Sequence, residues 1–304
     1  MTVPTHELRR IQAEWRLRGR RLPVGARTLV MGVVNITPDS FSDGGLYLEP
    51  ERAVAHALRL LDEGADLLDL GAESTRPGSH AGDLEAAAVS ADEEQARLLP
   101  VLEAVLKARP GTVVSVDTYK AATARAVVSA GAEIVNDVSG FTWDARMAAV
   151  GAELGCGVVL MHTRGRPEEW RSQPVLAAEV GLTLVRDGLA ASLRAAVEAG
   201  LSLESVVLDP GYGFGKRFEE NYGLLARQAE LLELGRPLLA GVSRKSFLAR
   251  TLAGVQPVSE NARETASIAA LVTAILHGAS IVRVHRVRAA VEAAAIADAV
   301  LAAR

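Results

Sequence analysis

The sequence has little of what would point to a secreted, membrane-bound or nucleic-acid-binding protein. A single cysteine, Cys156, among 304 residues rules out an intrachain disulfide and any metal site built from several thiolates. The most apolar stretch, residues 268–284, is interrupted by His277, Gly278 and Arg283 before it reaches the roughly 18 apolar residues of a membrane span. Acidic residues (37) nearly balance basic residues (33), so neither nucleic acid nor an anionic membrane is a favoured partner. We therefore expect a soluble, cytoplasmic protein.

The first 26 residues form an N-terminal extension that differs in composition from the rest of the chain. The extension carries arginines at positions 9, 10, 16, 18, 20 and 21 but lacks the apolar core of a secretory signal. Together with acidic side chains at positions 7 and 14, this pattern is typical of a solvated surface helix, which we predict from residue 7 to about residue 18. Residues 27–304 are predicted to form one domain.

Short apolar runs recur along that domain and indicate its fold. The eight runs lie at residues 29–34, 67–70, 113–116, 134–135, 158–161, 206–208, 238–242 and 281–284. Because polar residues do not alternate within the runs, we interpret them as strands buried on both faces, as in a parallel sheet. Ala/Leu-rich segments with helical periodicity separate them, and most of these end at glycine. The predicted helices are residues 53–64, 93–108, 121–131, 145–155, 176–200, 221–235, 263–278 and 289–302.

Eight strand–helix units over roughly 250 residues predict an α/β protein with a single (β/α)₈ or TIM barrel and an N-terminal extension. An open, doubly wound sheet is the alternative. In a barrel the carboxyl ends of the strands share one rim, and here a polar side chain follows almost every predicted strand. The rim set is Asn35, residues 73–76, Asp117, residues 136–137, His162, Asp209, residues 243–246, Arg283 and His285. So many polar strand ends predict a functional site at this rim.

The rim residues divide by charge. Arg76, Lys245 and Arg283 are cationic donors suited to phosphate oxygens, which predicts a phosphorylated or diphosphorylated ligand. Asp117 and Asp209, with a neighbouring asparagine amide, suit a flat nitrogen heterocycle that presents adjacent N–H donors. Paired carboxylates also serve as an acid/base couple or as magnesium ligands, and the residues alone leave that choice open.

Two glycine-rich segments follow predicted strands. Residues 211–216 (GYGFGK) end in lysine as a phosphate-binding P-loop does, but Pro210 and Arg217 stand where that motif has Gly and Ser/Thr. We therefore interpret this segment as a strand-to-helix turn that lets a ligand approach the backbone. Residues 37–45 (TPDSFSDGG) combine two acids, one aromatic residue and two glycines, a pattern typical of an active-site flap.

Several motifs together resemble the dihydropteroate synthase family. They are residues 31–45 (MGVVNITPDSFSDGG), 69–78 (DLGAESTRPG), 115–118 (SVDT), 136–140 (NDVSG), 160–162 (LMH), 209–216 (DPGYGFGK), 243–246 (SRKS) and 283–285 (RVH). The resemblance implies condensation of (7,8-dihydropterin-6-yl)methyl diphosphate with 4-aminobenzoate, which gives 7,8-dihydropteroate and diphosphate in folate biosynthesis. It also implies a need for Mg²⁺, inhibition by sulfonamides and a homodimer.

The resemblance assigns a role to individual positions. The pterin would be held by Asp117, Asn136, Asp209 and Lys245 in a slot lined by Met161 and Phe214. The diphosphate would meet Asn35, Arg76, Arg283 and His285, with Thr75 nearby and Asn35 also carrying Mg²⁺. The aminobenzoate site would be bordered by Phe41, Pro77 and Ser246. The catalytic residues would be Asp39, Asp43 and Lys245, with Asp43 stabilising the pterin methylene cation left when the C–O bond breaks early.

One departure and two rival functions remain at this point. Arg286 stands where the family usually has Asp. It would either add a positive charge near the diphosphate end or face solvent, and we predict that it faces solvent. A pterin-binding methyltransferase module that acts with a corrinoid partner shares the barrel and the pterin recognition. A pterin-binding relative without catalytic activity is the other alternative. Retention of both flap segments, residues 37–45 and 74–79, favours the synthase.

Overall fold

The structure, a computed structural model of the protein, describes residues 10–36, 49–76, 78–82, 89–255 and 258–303. Asp39, Phe41, Asp43 and Pro77 lie outside these residues, so the roles that the sequence assigns to them stay predictions.

The described part of the N-terminal extension is a β-hairpin, so the predicted surface helix is wrong there. Strands β1 (Ala13–Arg16) and β2 (Arg21–Val24) pair antiparallel. The arginines that suggested a solvated helix instead bind the barrel: Arg18 Nη1 donates to the carbonyl oxygen of Val128 at 2.5 Å, and Arg20 Nε donates to Glu133 Oε2 at 3.0 Å. Trp15 is fully buried, and burial of this ring stabilises the extended conformation more than helix propensity favours a helix.

Eight parallel strands within the described ranges close into a barrel, which confirms the predicted fold and excludes the open sheet. They are β3 (Leu29–Asn35), β4 (Leu67–Gly71), β5 (Val113–Asp117), β6 (Ile134–Asp137), β7 (Gly157–Met161), β8 (Val206–Asp209), β9 (Leu238–Ala240) and β10 (Ala279–Val284). Each strand pairs with the next in chain order, and β10 returns to β3.

Helices surround the barrel. They are α1 (Glu49–Asp62), α2 (Ala91–Ala108), α3 (Ala121–Ser129), α4 (Met147–Leu154), α5 (Ala178–Glu198), α6 (Phe218–Ala226), α7 (Ser246–Ala253), α8 (Glu260–Leu276) and α9 (Val287–Ala302). The predicted helix over residues 221–235 is in fact α6 followed by a 3₁₀ segment, Gln228–Leu234. Helix α7 escaped prediction because it is short and its N-cap residue, Lys245, makes no side-chain capping hydrogen bond.

The register of the parallel strands places the predicted site residues at the same level along the barrel axis. Asn35 pairs with Gly71, Gly71 with Asp117, and Asp117 with Asn136 across four consecutive strands. On the far side of the barrel, Met161 of β7 pairs with Asp209 of β8. Because parallel strands share one direction, these residues gather at the carboxyl rim, where (β/α)₈ enzymes carry their active sites.

Candidate active site

A cleft of about 310 Å³ opens at the carboxyl rim. It is lined by predicted site residues from six strands or the loops after them: Asp117, Asn136, Met161, Asp209, Phe214, Lys245 and Arg283. Val138, Gly211, Tyr212 and Gly241 complete the lining. The structure therefore brings together the residues predicted to hold a pterin, and it adds Arg283 to them.

Arg283 lies between two carboxylates. Its Nε donates to Asp69 Oδ2 at 2.6 Å, and its Nη2 donates to Asp117 Oδ2 at 2.9 Å. Sequence reasoning assigned Arg283 to the diphosphate, whereas the structure places its guanidinium inside the acidic cleft. A planar guanidinium spans two acceptors in a way that a lysine ammonium does not, so arginine suits this position.

Asp69 is a site residue that sequence reasoning missed. Its side chain is fully buried, and Oδ2 also accepts a hydrogen bond from Asn136 Nδ2 at 3.0 Å. Asp69 thus fixes the side chains of both Arg283 and Asn136 under the cleft. The signal was an aspartate inside an otherwise apolar run, residues 67–71 (LLDLG), because a charge buried in a strand needs a partner.

The two other acids of the cleft lie in low-dielectric surroundings. Burial raises the pKa of Asp117 to about 7, Arg283 opposes that shift, and Asp69 adds to it. Burial also raises the pKa of Asp209, whose Oδ1 accepts a hydrogen bond from the Gly211 amide at 2.7 Å. That bond orients the Asp209 carboxylate, and its other oxygen lies toward Gly241 on the cleft wall.

Lys245 and Phe214 also line the cleft and contact each other. Lys245 Nζ lies 4.1 Å from the centroid of the Phe214 ring, a cation–π distance. Trp170 packs edge-on against the same ring, with the centroids 5.1 Å apart. Burial, and then the charge of Arg283, lower the pKa of Lys245 to about 8. A flat ligand can stack on Phe214 while its polar edge meets the acids that line the same cleft.

His285 stands beside this cleft but does not line it. Its Nδ1 lies 3.0 Å from Ser243 Oγ. Burial, followed by the charges of Arg283, Arg244 and Lys245, lowers the pKa of His285 to about 3. The imidazole is therefore neutral near pH 7, so it offers hydrogen bonding rather than a positive charge.

The remaining predicted residues lie at the rim outside the cleft. Asn35 is exposed at the end of β3, Ser246 is exposed at the start of α7, and Thr75 and Arg76 lie on the loop after β4. That loop is anchored at its root, because Glu73 accepts hydrogen bonds from Lys120 Nζ at 2.5 Å and from the Tyr119 hydroxyl at 3.2 Å. Further along, the Gly78 amide donates to the Pro167 carbonyl oxygen at 3.1 Å.

No described group of three or more His, Cys, Asp or Glu side chains is arranged to hold a metal ion. Asn35 offers one exposed amide oxygen at the rim. Mg²⁺ commonly keeps several waters and binds through substrate phosphates with few protein ligands, so a single amide oxygen fits a Mg²⁺ ion that arrives with a diphosphate.

Comparison with known proteins agrees with this geometry. Residues 31–285 match the family model described as pterin binding enzyme. A dihydropteroate synthase from Mycobacterium leprae is 45% identical over 270 residues, which cover 87% of this chain and 90% of that protein. The chain belongs to the dihydropteroate synthase family.

Solved structures of the family share the same fold. A dihydropteroate synthase from Xanthomonas albilineans, solved with 4-aminobenzoic acid, is 42% identical, has a TM-score of 0.83 and aligns over 95% of this chain and 99% of its own. The same organism's enzyme has also been solved with 7,8-dihydropteroate. The Yersinia pestis dihydropteroate synthase, in complex with a sulfonamide drug, is 38% identical, has a TM-score of 0.84 and aligns over 96% of this chain and 100% of its own.

Proposed function

We propose that the protein condenses (7,8-dihydropterin-6-yl)methyl diphosphate with 4-aminobenzoate, yielding 7,8-dihydropteroate and diphosphate in folate biosynthesis. The observation that carries the proposal is the rim cleft, in which acids, an amide and a lysine surround an aromatic wall. Relatives named for this transferase activity match nearly the whole chain, and one of them was solved with the product named here.

The pterin binds in the cleft with its ring stacked beside Phe214. Asp209 and Asp117 accept hydrogen bonds from the N–H groups of the ring. Asn136, whose amide is oriented by its hydrogen bond to Asp69, can both donate and accept. Lys245 donates to an acceptor on the ring. Each of these side chains is already oriented by protein partners, so binding requires little reorganisation.

The reaction breaks the C–O bond between the pterin methylene group and the diphosphate, and the electron pair leaves with the diphosphate oxygen. The amino nitrogen of 4-aminobenzoate forms the new C–N bond and then releases a proton. Because the methylene cation is delocalised into the pterin, a weakly nucleophilic aniline attacks without a strong general base. Asp39 and Asp43, which follow Asn35 in the sequence and lie outside the described residues, would stabilise that cation.

Positive charge at the rim stabilises the leaving diphosphate. Arg76 is exposed there, Arg283 lies in the cleft wall, and neutral His285 adds a hydrogen bond. Asn35 would hold Mg²⁺ together with the diphosphate, and the ion would supply further neutralisation of the diphosphate charge. Phe41, Pro77 and Ser246 border the aminobenzoate, which sulfonamides displace. The resemblance implies that the flap segments exclude water, which would otherwise capture the cation.

We further propose that the protein acts as a homodimer in the cytoplasm. The described helices include none long and apolar enough to cross a membrane.

A steady-state assay of diphosphate release tests the function. We expect release from the dihydropterin diphosphate only when 4-aminobenzoate and Mg²⁺ are both present, with one dihydropteroate formed per diphosphate. Diphosphate release that does not depend on 4-aminobenzoate would contradict the proposed synthase activity. Methyl transfer to a corrinoid, without condensation, would support the rival methyltransferase. Addition of a sulfonamide should raise the KM for 4-aminobenzoate without changing the maximal rate.

A further inference from the structure

Lys216 ends the glycine-rich turn that did not qualify as a P-loop, and the structure shows what this lysine contacts. Its Nζ donates to three backbone carbonyl oxygens: Gly211 at 2.8 Å, His162 at 3.0 Å and Phe214 at 3.2 Å. A lysine ammonium has three N–H donors, so these contacts use all of them. Lys216 is therefore turned back under its own loop rather than toward a ligand.

The turn has the opposite polarity to a phosphate-binding loop. A P-loop directs backbone N–H groups at an anion, whereas here carbonyl oxygens converge on a cation. The N–H groups are used elsewhere: Gly211 donates to Asp209 Oδ1 and Gly213 donates to Asn221 Oδ1, both at 2.7 Å. Gly211 has a φ of +69°, and a Cβ atom there would collide with the His162 carbonyl oxygen. Glycine at position 211 therefore lets its backbone pack against the His162 carbonyl group, and Lys216 binds the carbonyl oxygens of both residues.

One ammonium thereby joins the ends of two neighbouring strands. His162 directly follows Met161, the last residue of β7, whereas Gly211 and Phe214 lie in the loop after Asp209, the last residue of β8. Met161, Asp209, Gly211 and Phe214 all line the pterin cleft. Lys216 lies behind this wall and lines a second, smaller cavity with His162 and Glu220.

Phe214 connects Lys216 to the cleft, because its carbonyl group binds Lys216 and its ring lines the cleft. Lys216 fixes this carbonyl, and the Phe214 ring on the cleft side lies 4.1 Å from Lys245 Nζ. Without the ammonium, the His162 carbonyl oxygen would lose this donor, and the Gly211 and Phe214 carbonyl oxygens would keep only the backbone N–H groups of Phe214 at 3.1 Å and Arg164 at 3.4 Å. The turn would relax, and the Phe214 ring and the Asp209 carboxylate would move with it.

We propose that Lys216 is a positioning residue for pterin binding: its Nζ donors hold the Gly211, Phe214 and His162 carbonyl groups and so set the cleft wall. This inference rests on the proposed function, because it assigns the cleft to the pterin. Lys216 does not line the cleft itself, and it belongs to the loop after β8 rather than to the rim segments assigned to the aminobenzoate.

Paired substitutions at Lys216 test the proposal. Lys216→Met keeps the length of the side chain and removes all three donors. Lys216→Arg keeps the charge, but a planar guanidinium cannot place three N–H groups on carbonyls that converge on one point. Lys107→Met, at an exposed lysine in the last turn of α2, is the matched control. For each folded protein, calorimetry measures the Kd for a pterin without diphosphate, and steady-state kinetics give the KM for 4-aminobenzoate.

We expect Lys216→Met to raise the pterin Kd by about 10- to 100-fold, the range for lost charge-assisted hydrogen bonds. Lys216→Arg should give a smaller rise, Lys107→Met no change, and the KM for 4-aminobenzoate should change less than about threefold throughout. Unchanged pterin affinity, or equal losses for both substrates, would overturn the proposal. If Lys216→Met does not fold, Lys216→Arg decides by the same criteria. A wild-type protein that binds no pterin would instead refute the proposed function.

Discussion

The two ends of the barrel are built from the same strands but differ in chemistry. At the amino end, Trp15, Leu17 and Val24 of the hairpin segment pack onto an apolar layer that includes Leu29 and Leu67. The carboxyl end holds acids, an arginine and a lysine around an open cleft. The inward side chains of a single strand change from apolar to charged along its length. Stability and binding are thus separated along the barrel axis.

The strand β4 shows this separation within five residues. Leu67 faces the apolar layer, Asp69 lies midway and binds Arg283 and Asn136, and Gly71 reaches the rim beside Asp117. A Cβ atom at Gly71 would lie 3.5 Å from the Asp117 Cβ, in ordinary contact. Substitutions at the amino end should therefore change the free energy of unfolding, and substitutions at the carboxyl end should change ligand affinity.

Trp15→Ala should have the largest effect, and that effect should be on stability alone. Trp15 is fully buried and its Nε1 donates to the Ser205 carbonyl oxygen at 2.8 Å. Removing a buried tryptophan ring costs about 3 to 5 kcal/mol of unfolding free energy, which urea titration would measure. Pterin affinity below the unfolding transition should match wild type. A reduced affinity in the folded variant would show that the two ends are coupled. Leu22→Ala, at a partly buried hairpin position, is the milder control.

In contrast to Trp15→Ala, Asp209→Asn should weaken pterin binding and leave the free energy of unfolding nearly unchanged. The introduced amide would present an N–H group where the carboxylate accepts, so we expect the pterin Kd to rise by about 5- to 150-fold, or 1 to 3 kcal/mol. Calorimetry with a pterin measures the change. Asp187→Asn, on an exposed part of α5, is the control and should bind as wild type does. Equal affinity for Asp209→Asn would remove Asp209 from the binding site.

Arg286→Asp tests a residue at the margin of the rim. Arg286 is exposed, as predicted from sequence, and it pairs with Glu260 at 3.2 Å and with Glu264 at 3.6 Å. Arg244 shares both partners. The pair with Glu260 is exposed and contributes little, but Glu264 is largely buried and the new carboxylate would lie beside both glutamates. The loss of unfolding free energy should be about 1 kcal/mol and should shrink at high salt. The KM for the diphosphate substrate should stay near wild type. A large rise in that KM would place Arg286 in the diphosphate site.

Cys156→Ser should have the smallest effect of these substitutions on activity. It is buried, and burial raises its thiol pKa to about 11, so very little reactive thiolate exists near neutral pH. A thiol reagent should label the native protein far more slowly than the urea-unfolded protein, and Cys156→Ser should retain full activity. Rapid labelling of native protein, with loss of activity, would contradict a purely structural role.

The sequence predicted the barrel well because buried parallel strands leave a strong local pattern. All eight apolar runs became barrel strands, and helix ends at glycine were mostly placed within a few residues. The hairpin was missed because its stability comes from Trp15 and from arginines that bind carbonyl and carboxylate groups far along the chain. Such contacts have no local signal in the sequence.

The site was predictable in composition but not in its contacts. Polar residues at strand ends identified the members of the cleft, and strand register then brought them together. Position in the sequence did not show that Arg283 bridges two acids, that Asp69 holds Asn136, or that Lys216 binds carbonyl groups. These contacts depend on side-chain direction within the closed barrel, which only the structure gives.

The most direct test of this account is pterin binding to a double variant, Asp117→Asn with Asp209→Asn, measured by calorimetry beside wild type and Trp15→Ala. Wild type and Trp15→Ala should each bind one pterin per chain with similar affinity, and the folded double variant should show no measurable binding. Wild-type affinity in the double variant, or loss of binding in Trp15→Ala alone, would contradict a binding site at the carboxyl end of the barrel.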